Sequence, residues 1–357
     1  MYESKNTILM EDFEYISNFN INFEKFRNKN ILISGSTGLV GSNLVRLLLY
    51  INRIKDLNMK IYALARNQKK AFFLFNNLLT RNDLVILNID LLDDEFIQKV
   101  STVKYDYVIH TASITNSKIM IEKPIMTLNT SFEGTRNILE VSKISRVASF
   151  VYISSMEVYG KFSEQKTTIV DETMMGYINP LDVRSNYPES KRICENMCIA
   201  YNAEYDVPVK IARLSQTFGA GILPGENRVF AQFANSVINN QNIVLHTEGK
   251  SEGNYCYLRD ALLGIILILL EGKNAEAYNV SNENTHMTIY EMAQLVCNKI
   301  ANGSIEVIKD IPITNVYGYA NDSRIKLDSS KLRLLGWYPS VDLEESYRRM
   351  MKQMYIF

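Results

Sequence analysis

The chain has 357 residues, 46% of them hydrophobic and 22% charged, which are the proportions of a folded globular protein rather than a disordered or fibrous one. Basic and acidic residues balance at 39 each, so no net field gathers phosphate backbone or anionic lipid around the molecule, and neither nucleic acid nor a membrane is an expected partner. The length exceeds what a single core usually fills, which suggests two unequal lobes.

Residues 1–29 mix polar and aromatic side chains without a strand signal. They read as an N-terminal leader, with one or two short helices between Met10 and Phe26, packed on a domain edge. The opening Met1-Tyr2-Glu3-Ser4-Lys5 lacks the basic, apolar and small-residue succession of a secretory signal, and the longest apolar run, Leu262 to Leu270, is too short to span a bilayer. The expected location is the cytoplasm.

From Asn30 short apolar runs alternate with longer segments of helical period, the signature of βαβ units and a parallel sheet. Strands are predicted at 31–34, 60–65, 84–89, 107–111, 149–154 and 208–214, with helices at 42–54, 133–142 and 188–204 between them. Residues 30–219 therefore read as an α/β domain with a Rossmann-type doubly wound parallel sheet. Beyond Gly219 the alternation becomes irregular: strands at 243–247, 256–258 and 277–280, a helix at 260–270 and another from Ile289. Residues 220–357 read as a smaller mixed α/β substrate lobe, with the chain free to cross back between the two. The sequence holds no internal repeat, low-complexity tract or Pro/Gly-rich linker, so a flexible tether is not expected.

Cys194 and Cys198 lie one helical turn apart, but Cys256, Cys297, His110, His246 and His286 are scattered and complete no ligand set. The cysteines are expected as buried structural thiols, with no metal.

Gly35, Gly38 and Gly41 follow the first predicted strand directly and open a helix, with Thr37 and Leu39 in the same loop. Gly35 allows the tight turn, Gly38 lets the backbone approach a pyrophosphate, and Gly41 lets helix and strand lie close, with the helix N-terminus facing the phosphates. A nicotinamide dinucleotide is the expected cofactor, and the GxxGxxG spacing points toward short-chain enzymes. At the end of the second strand, Ala65-Arg66-Asn67 stands where an acidic residue would take the ribose hydroxyls of NAD. Arg66 is suited to a 2′-phosphate instead, which favours NADP over NAD.

Tyr187-Pro188-Glu189-Ser190-Lys191 sets a phenol and an ammonium one turn apart on one helix face. In a chain with 21 tyrosines that spacing alone carries little weight. Its place after the fifth strand, which ends in Ser154-Ser155-Met156-Glu157-Val158-Tyr159-Gly160, gives it meaning, because ligands sit at the carboxyl edge of open α/β sheets.

These residues resemble the extended short-chain dehydrogenases/reductases of the sugar-nucleotide epimerase/dehydratase branch. Further matching landmarks are Asp90-Leu91, Val108 to Ala112, Gly134-Thr135, Arg213 to Gly219, Tyr278-Asn279-Val280 and Leu335-Gly336-Trp337, so the likeness runs from about residue 30 to 348. The resemblance implies that Tyr187 removes a hydroxyl proton as hydride leaves the same carbon, its phenolate favoured by the lysine charge and the cofactor ring. It implies that Lys191 also holds the nicotinamide ribose, that Ser155 binds the substrate oxygen, and that Glu157 takes a C5 proton after oxidation at C4. Met156, where the dehydratases often carry Asp or Ser, cannot transfer a proton. The cofactor is implied to meet Gly35, Thr37, Gly38, Leu39, Gly41, Arg66, Asp90, Leu91, Thr111, Ala112, Lys191 and Leu214, and the substrate to meet Thr115, Ser155, Arg184, Gln216 and Arg228. A homodimer through the helices at 133–142 and 188–204 is implied as well.

Two departures concern the substrate. Gly253 stands where the branch usually places an arginine for the nucleotide diphosphate, and Val316-Tyr317-Gly318-Tyr319 replaces a second. Arg228, Lys250, Arg259 and Arg324 remain in the same lobe as substitutes. The leading expectation is an epimerase or dehydratase of a nucleotide-linked sugar, working through transient C4 oxidation and supplying surface polysaccharide precursors. The alternatives are an NADPH-dependent reductase of a phosphorylated sugar or ketose, and a cofactor-sensing binding protein on an inactive scaffold.

Overall fold

The computed structural model describes residues 7–162, 166–223, 225–312 and 322–354. Helix α1 (Thr7–Ser17) lies ahead of the first strand and buries Ile8, Leu9, Phe13 and Ile16, a stripe at helical spacing. There follow β1 (Asn30–Ser34), α2 (Leu39–Lys55), β2 (Lys60–Leu64), α3 (Gln68–Phe75), β3 (Leu84–Leu87), α4 (Phe96–Val100) and β4 (Tyr107–His110). The next elements are α5 (Ser117–Glu122), α6 (Pro124–Ser145), β5 (Ser149–Ser155), β6 (Thr168–Val170), α7 (Asn186–Tyr205) and β7 (Val209–Leu214).

The large sheet has the order β3-β2-β1-β4-β5-β7 with one further strand beyond β7, and every pairing in it is parallel. The strands are nearly continuous apolar runs because helices cover both faces. One core cluster joins α1, α2 and Ile31, Ile33, Ile61 and Val151, while another joins α6, α7 and Leu32, Val108, Phe150 and Ile211. Strand order reverses between β1 and β4, so a crevice opens outside their carboxyl ends, where ligands bind in open α/β sheets.

The remaining elements are β8 (Gln216–Phe218), α8 (Val229–Ile238), β9 (Ile243–Leu245), β10 (Glu252–Tyr257), α9 (Leu258–Glu271), β11 (Glu276–Val280), β12 (Asn282–Thr288), α10 (Ile289–Leu295), β13 (Val307–Lys309), β14 (Ile325–Leu327), α11 (Ser330–Arg333) and α12 (Leu343–Met354). They build a three-stranded sheet, β12-β10-β8, and two strand pairs, β13-β9 and β14-β6. The chain crosses back at α9, which packs on β5 and β7, and at β11, the outer strand beside β7.

Two sequence expectations shift in extent, and three short strands had none. Helix α6 starts at Pro124 rather than residue 133, because its polar first half (Thr127, Asn129, Thr130, Ser131) hides the helical period while Pro124 sets the first turn. Strand β10 starts at Glu252 and ends at Tyr257, and Leu258 opens α9 instead of closing the strand. Strands β6, β8 and β14 are three residues each, too short to show alternation.

Candidate active site

At the switch point the chain turns sharply out of β1. Gly35 has φ 66°, and a Cβ there would lie 2.6 Å from the amide nitrogen of Ala112 and 2.7 Å from the Thr111 hydroxyl, so only glycine fits. A Cβ on Gly41 would lie 2.3 Å from the Gly35 carbonyl oxygen, which lets α2 start directly against β1 and β4. Thr111 Oγ1 donates to the Ser34 carbonyl at 2.7 Å, and Ser36 Oγ donates to the Leu64 carbonyl at 2.8 Å. The loop is thus pinned from β4 and β2.

Gly38 caps α2 without a side chain, so no side chain satisfies the first-turn amides near Leu39. Together with the helix dipole, amides placed in this way are suited to an anion. Thr37 and Leu39 are half-buried at its edge and Gly38 is exposed. Asp90 and Arg66 are exposed at the ends of the neighbouring strands, whereas Leu91 is buried 3.2 Å from where a Gly134 Cβ would stand. Ser113 Oγ and Ser154 Oγ, just beyond β4 and within the end of β5, are buried without a partner. A glycine cradle, open helix amides and unpaired hydroxyls at one crevice fit a bound dinucleotide.

Strand β5 brings Ser155 to the same edge in register with Leu214 at the end of β7. A 3-10 turn, Met156–Tyr159, follows, and the Glu157 amide donates to Ser155 Oγ at 3.2 Å. Helix α7 lays Tyr187 and Lys191 side by side against this turn, both buried. Lys191 Nζ donates to the Ile153 carbonyl at 2.7 Å and stands 5.8 Å from the Tyr187 ring centre. Burial lowers the Lys191 ammonium to about 8. Burial and then the Glu157 charge push the Tyr187 phenol up, opposed by a hydrogen bond with Ser155 and the charges of Arg184 and Arg228. The phenol therefore stays protonated until further positive charge enters the cleft.

Ser155, Glu157, Tyr187, Arg184 and Arg228 thus converge. Arg184 Nη2 lies 3.3 Å from a Glu157 oxygen, and Arg184 Nη1 is buried without a partner. Arg228 pairs with Glu226 at 2.7 Å over the Phe230 ring. Gln216 is half-buried at the start of β8, and Thr115 is exposed in the loop after β4. Arg259 is turned away: it meets Asp12 and donates to Ser340 Oγ at 2.7 Å, which removes it as a phosphate substitute. At Gly253 the space is taken by Tyr255: a Cβ there would lie 2.3 Å from the Tyr255 hydroxyl oxygen, so the expected arginine would require that phenol to move. The run Val316 to Tyr319 lies outside the described residues.

Two buried networks brace the site and were not legible as such. Arg213, on β7, donates to Glu195 of α7 at 2.7 Å and to the Tyr159 hydroxyl at 3.0 Å, and Tyr159 donates to Asn279 Oδ1 at 2.6 Å. That network locks the turn carrying Glu157 to the helix carrying Lys191. His110, at the end of β4, meets the Ser34 hydroxyl through Nδ1 and the Thr135 hydroxyl through Nε2 at 3.0 Å. Burial, with Lys191 nearby, lowers its imidazole to about 3, so it is neutral. The landmarks Tyr159, Arg213 and Asn279 were visible in the sequence, but not their mutual contact.

All four cysteines are buried and unbridged. Among the described residues no group of three His, Cys, Asp or Glu side chains is placed to hold a metal, and no helix is long and apolar enough to cross a membrane.

The family model for the NAD dependent epimerase/dehydratase family matches residues 31–281. UDP-glucuronic acid decarboxylase 1 of Danio rerio is 28% identical over 327 residues, 91% of this chain and 72% of that protein. The dTDP-D-glucose 4,6-dehydratase of Homo sapiens is 25% identical over 331 residues, 91% of this chain and 89% of that protein. Among solved structures, an epimerase from Methanothermobacter thermautotrophicus superposes with a TM-score of 0.78 at 21% identity, covering 99% of this chain and 97% of the other.

Proposed function

Because this chain belongs to the NAD dependent epimerase/dehydratase family, we propose that it oxidises C4 of a nucleotide-linked sugar transiently, rearranges the ketone, and leaves the cofactor as it began, as an epimerase or a dehydratase. The observation that carries this reading is the convergence of Ser155, Glu157, Tyr187 and Lys191 on the strand edge that also holds the glycine loop. A bound nicotinamide dinucleotide supplies the hydride acceptor and donor, held by Gly35, Thr37, Gly38, Leu39, Gly41, Asp90, Leu91, Thr111, Ala112, Lys191 and Leu214.

Tyr187 takes the C4 hydroxyl proton. Ser155, already bonded to Tyr187, holds that oxygen in line. Lys191 contributes a fixed positive charge anchored on the Ile153 carbonyl. Once C4 is a carbonyl, the proton on C5 is acidified, and Glu157 stands beside Tyr187 as the base. Met156 leaves assistance to a departing hydroxyl to Glu157 or water. Arg184, Gln216, Thr115 and Arg228 face the sugar nucleotide, with Arg184 and Arg228 supplying the charge that Gly253 does not.

At the adenosine end, Arg66 is exposed just beyond β2, where its charge suits a 2′-phosphate and favours NADP. Helices α6 and α7 pack together and leave Ile125, Leu128, Phe132 and Ile193 exposed, an apolar face suited to a second copy. We place the enzyme in the cytoplasm, making surface polysaccharide precursors. The reductase reading rests on Arg66 and on the two missing phosphate arginines, and it is set aside because the chain belongs to the NAD dependent epimerase/dehydratase family. Nucleotide sugars incubated with the protein and a trace of NAD or NADP should convert to an epimer or to a product lacking one water, without net cofactor change. Conversion that consumes NADPH mole for mole would restore the reductase.

A further inference from the structure

Helix α1 and helix α12 come from opposite ends of the chain, both outside the span matched by the family, and they meet at one buried carboxylate. Asp12 of α1 is 1% exposed. It accepts from the Tyr257 hydroxyl at 2.6 Å and from Arg349 of α12 at 2.9 Å, with Arg259 at 3.4 Å. Burial raises the Asp12 carboxyl to about 6 although Tyr257, Arg349 and Arg259 all pull it down. A charge cluster of this cost in the interior fixes geometry rather than adding much stability.

What it fixes is the crossing between the lobes. The Tyr257 hydroxyl also accepts from the Ala220 amide at 3.4 Å, and its ring lies 2.4 Å from where a Gly219 Cβ would stand. One residue on, the Gly221 amide donates to Gln353 of α12, and the Gly221 carbonyl accepts from Asn43 Nδ2 at 3.3 Å. Asn43 donates as well to the carbonyl of Leu39, the first residue of α2 after the glycine loop. Ile8, Ala220, Tyr257 and Val341 close the apolar side of the same joint. A continuous contact path therefore runs from α1 through Tyr257 and the crossing to the first turn of α2.

We propose that α1 is a strap across the two lobes and that Asp12 is a positioning residue for the dinucleotide cleft, setting the first turn of α2 through Tyr257 and the segment Gly219–Gly221. This rests on reading the glycine loop as the cofactor site. The strap holds the cleft edge in its binding geometry before the cofactor arrives, so loosening it lowers affinity without unfolding the chain.

The test uses the full chain and three variants, Asp12→Ala, Tyr257→Phe and the double variant, with NADH and NADPH fluorescence titrations at a temperature where all are folded and thermal unfolding in parallel. Each single variant should weaken binding by about threefold to thirtyfold, and the double variant should lose no more than the stronger single one, because both act along one path. Tyr257→Phe removes a single hydroxyl and keeps the assay informative if Asp12→Ala folds poorly. Variants that melt earlier but bind with parental affinity overturn the strap's role. A parent chain that binds neither NADH nor NADPH overturns the cofactor reading itself.

Discussion

Lys191 donates to the main-chain carbonyl of Ile153 at 2.7 Å, so its ammonium is anchored to the strand that ends in Ser155 rather than to an acidic side chain. A buried cation that is paired with no carboxylate among the described residues is held against its own solvation preference. Its ionisation is lowered to about 8 from the ordinary 10.5. The folded state thus binds this proton less tightly than the unfolded state, and stability is diminished below pH 8 and recovers as pH rises from 8 to 10.5. Lys191→Met should abolish turnover and raise the unfolding free energy at pH 7 by about 1–3 kcal/mol, with the advantage narrowing above pH 8 in denaturant titrations. A variant no more stable than the parent at pH 7 contradicts this.

Tyr187→Phe keeps the ring packed against Ile114 and Met120 and removes the hydroxyl alone. Turnover should fall by about 10²–10⁴ or more, while the affinity for reduced cofactor changes less than about threefold, within the scatter of one weak contact. Retained turnover removes Tyr187 from the proposed chemistry.

Glu157→Gln separates oxidation from rearrangement. If Glu157 is the base at C5, a single-turnover mixture of the variant and substrate should still develop the absorbance of reduced cofactor, while product formation drops by about 10²–10⁴. Product formation at the parental rate would leave Glu157 as a partner of Arg184 and nothing more.

His110 is neutral in the folded chain down to about pH 3, while its unfolded reference is 6.5. The unfolded state takes up a proton first, so stability is lost as pH falls from 6.5 toward 3, by about 1.4 kcal/mol for each pH unit. His110→Gln keeps a group for Thr135 but not the titration. Its stability measured against pH should fall less steeply below 6.5 than the parent's; parallel acid limbs would contradict this origin.

Much of the architecture was legible because its signals are local. The turn at Gly35, Gly38 and Gly41 follows from steric need within seven residues, and the adjacency of Tyr187 and Lys191 follows from helical period. The smaller lobe was less legible, since β6, β8 and β14 carry only three residues each and pair across long stretches of chain. Polar networks were invisible for the same reason. Arg213 with Glu195, His110 with Ser34 and Thr135, and Asp12 with Tyr257 and Arg349 join residues whose sequence surroundings give no sign of one another. The glycine at 253 read as a lost arginine, and the structure adds that the Tyr255 phenol fills the space a side chain there would enter.

The most direct test of C4 oxidation with a recycled cofactor follows a deuterium atom. A nucleotide sugar deuterated at C4 is incubated with the purified chain and unlabelled NAD or NADP at far below the sugar concentration. The expected result is many turnovers per cofactor, with the deuterium retained in the sugar product and no build-up of reduced cofactor. Product formation that stops at one turnover per cofactor with the deuterium left on the reduced cofactor, or product formed at the parental rate when Tyr187 is replaced by Phe, would contradict it.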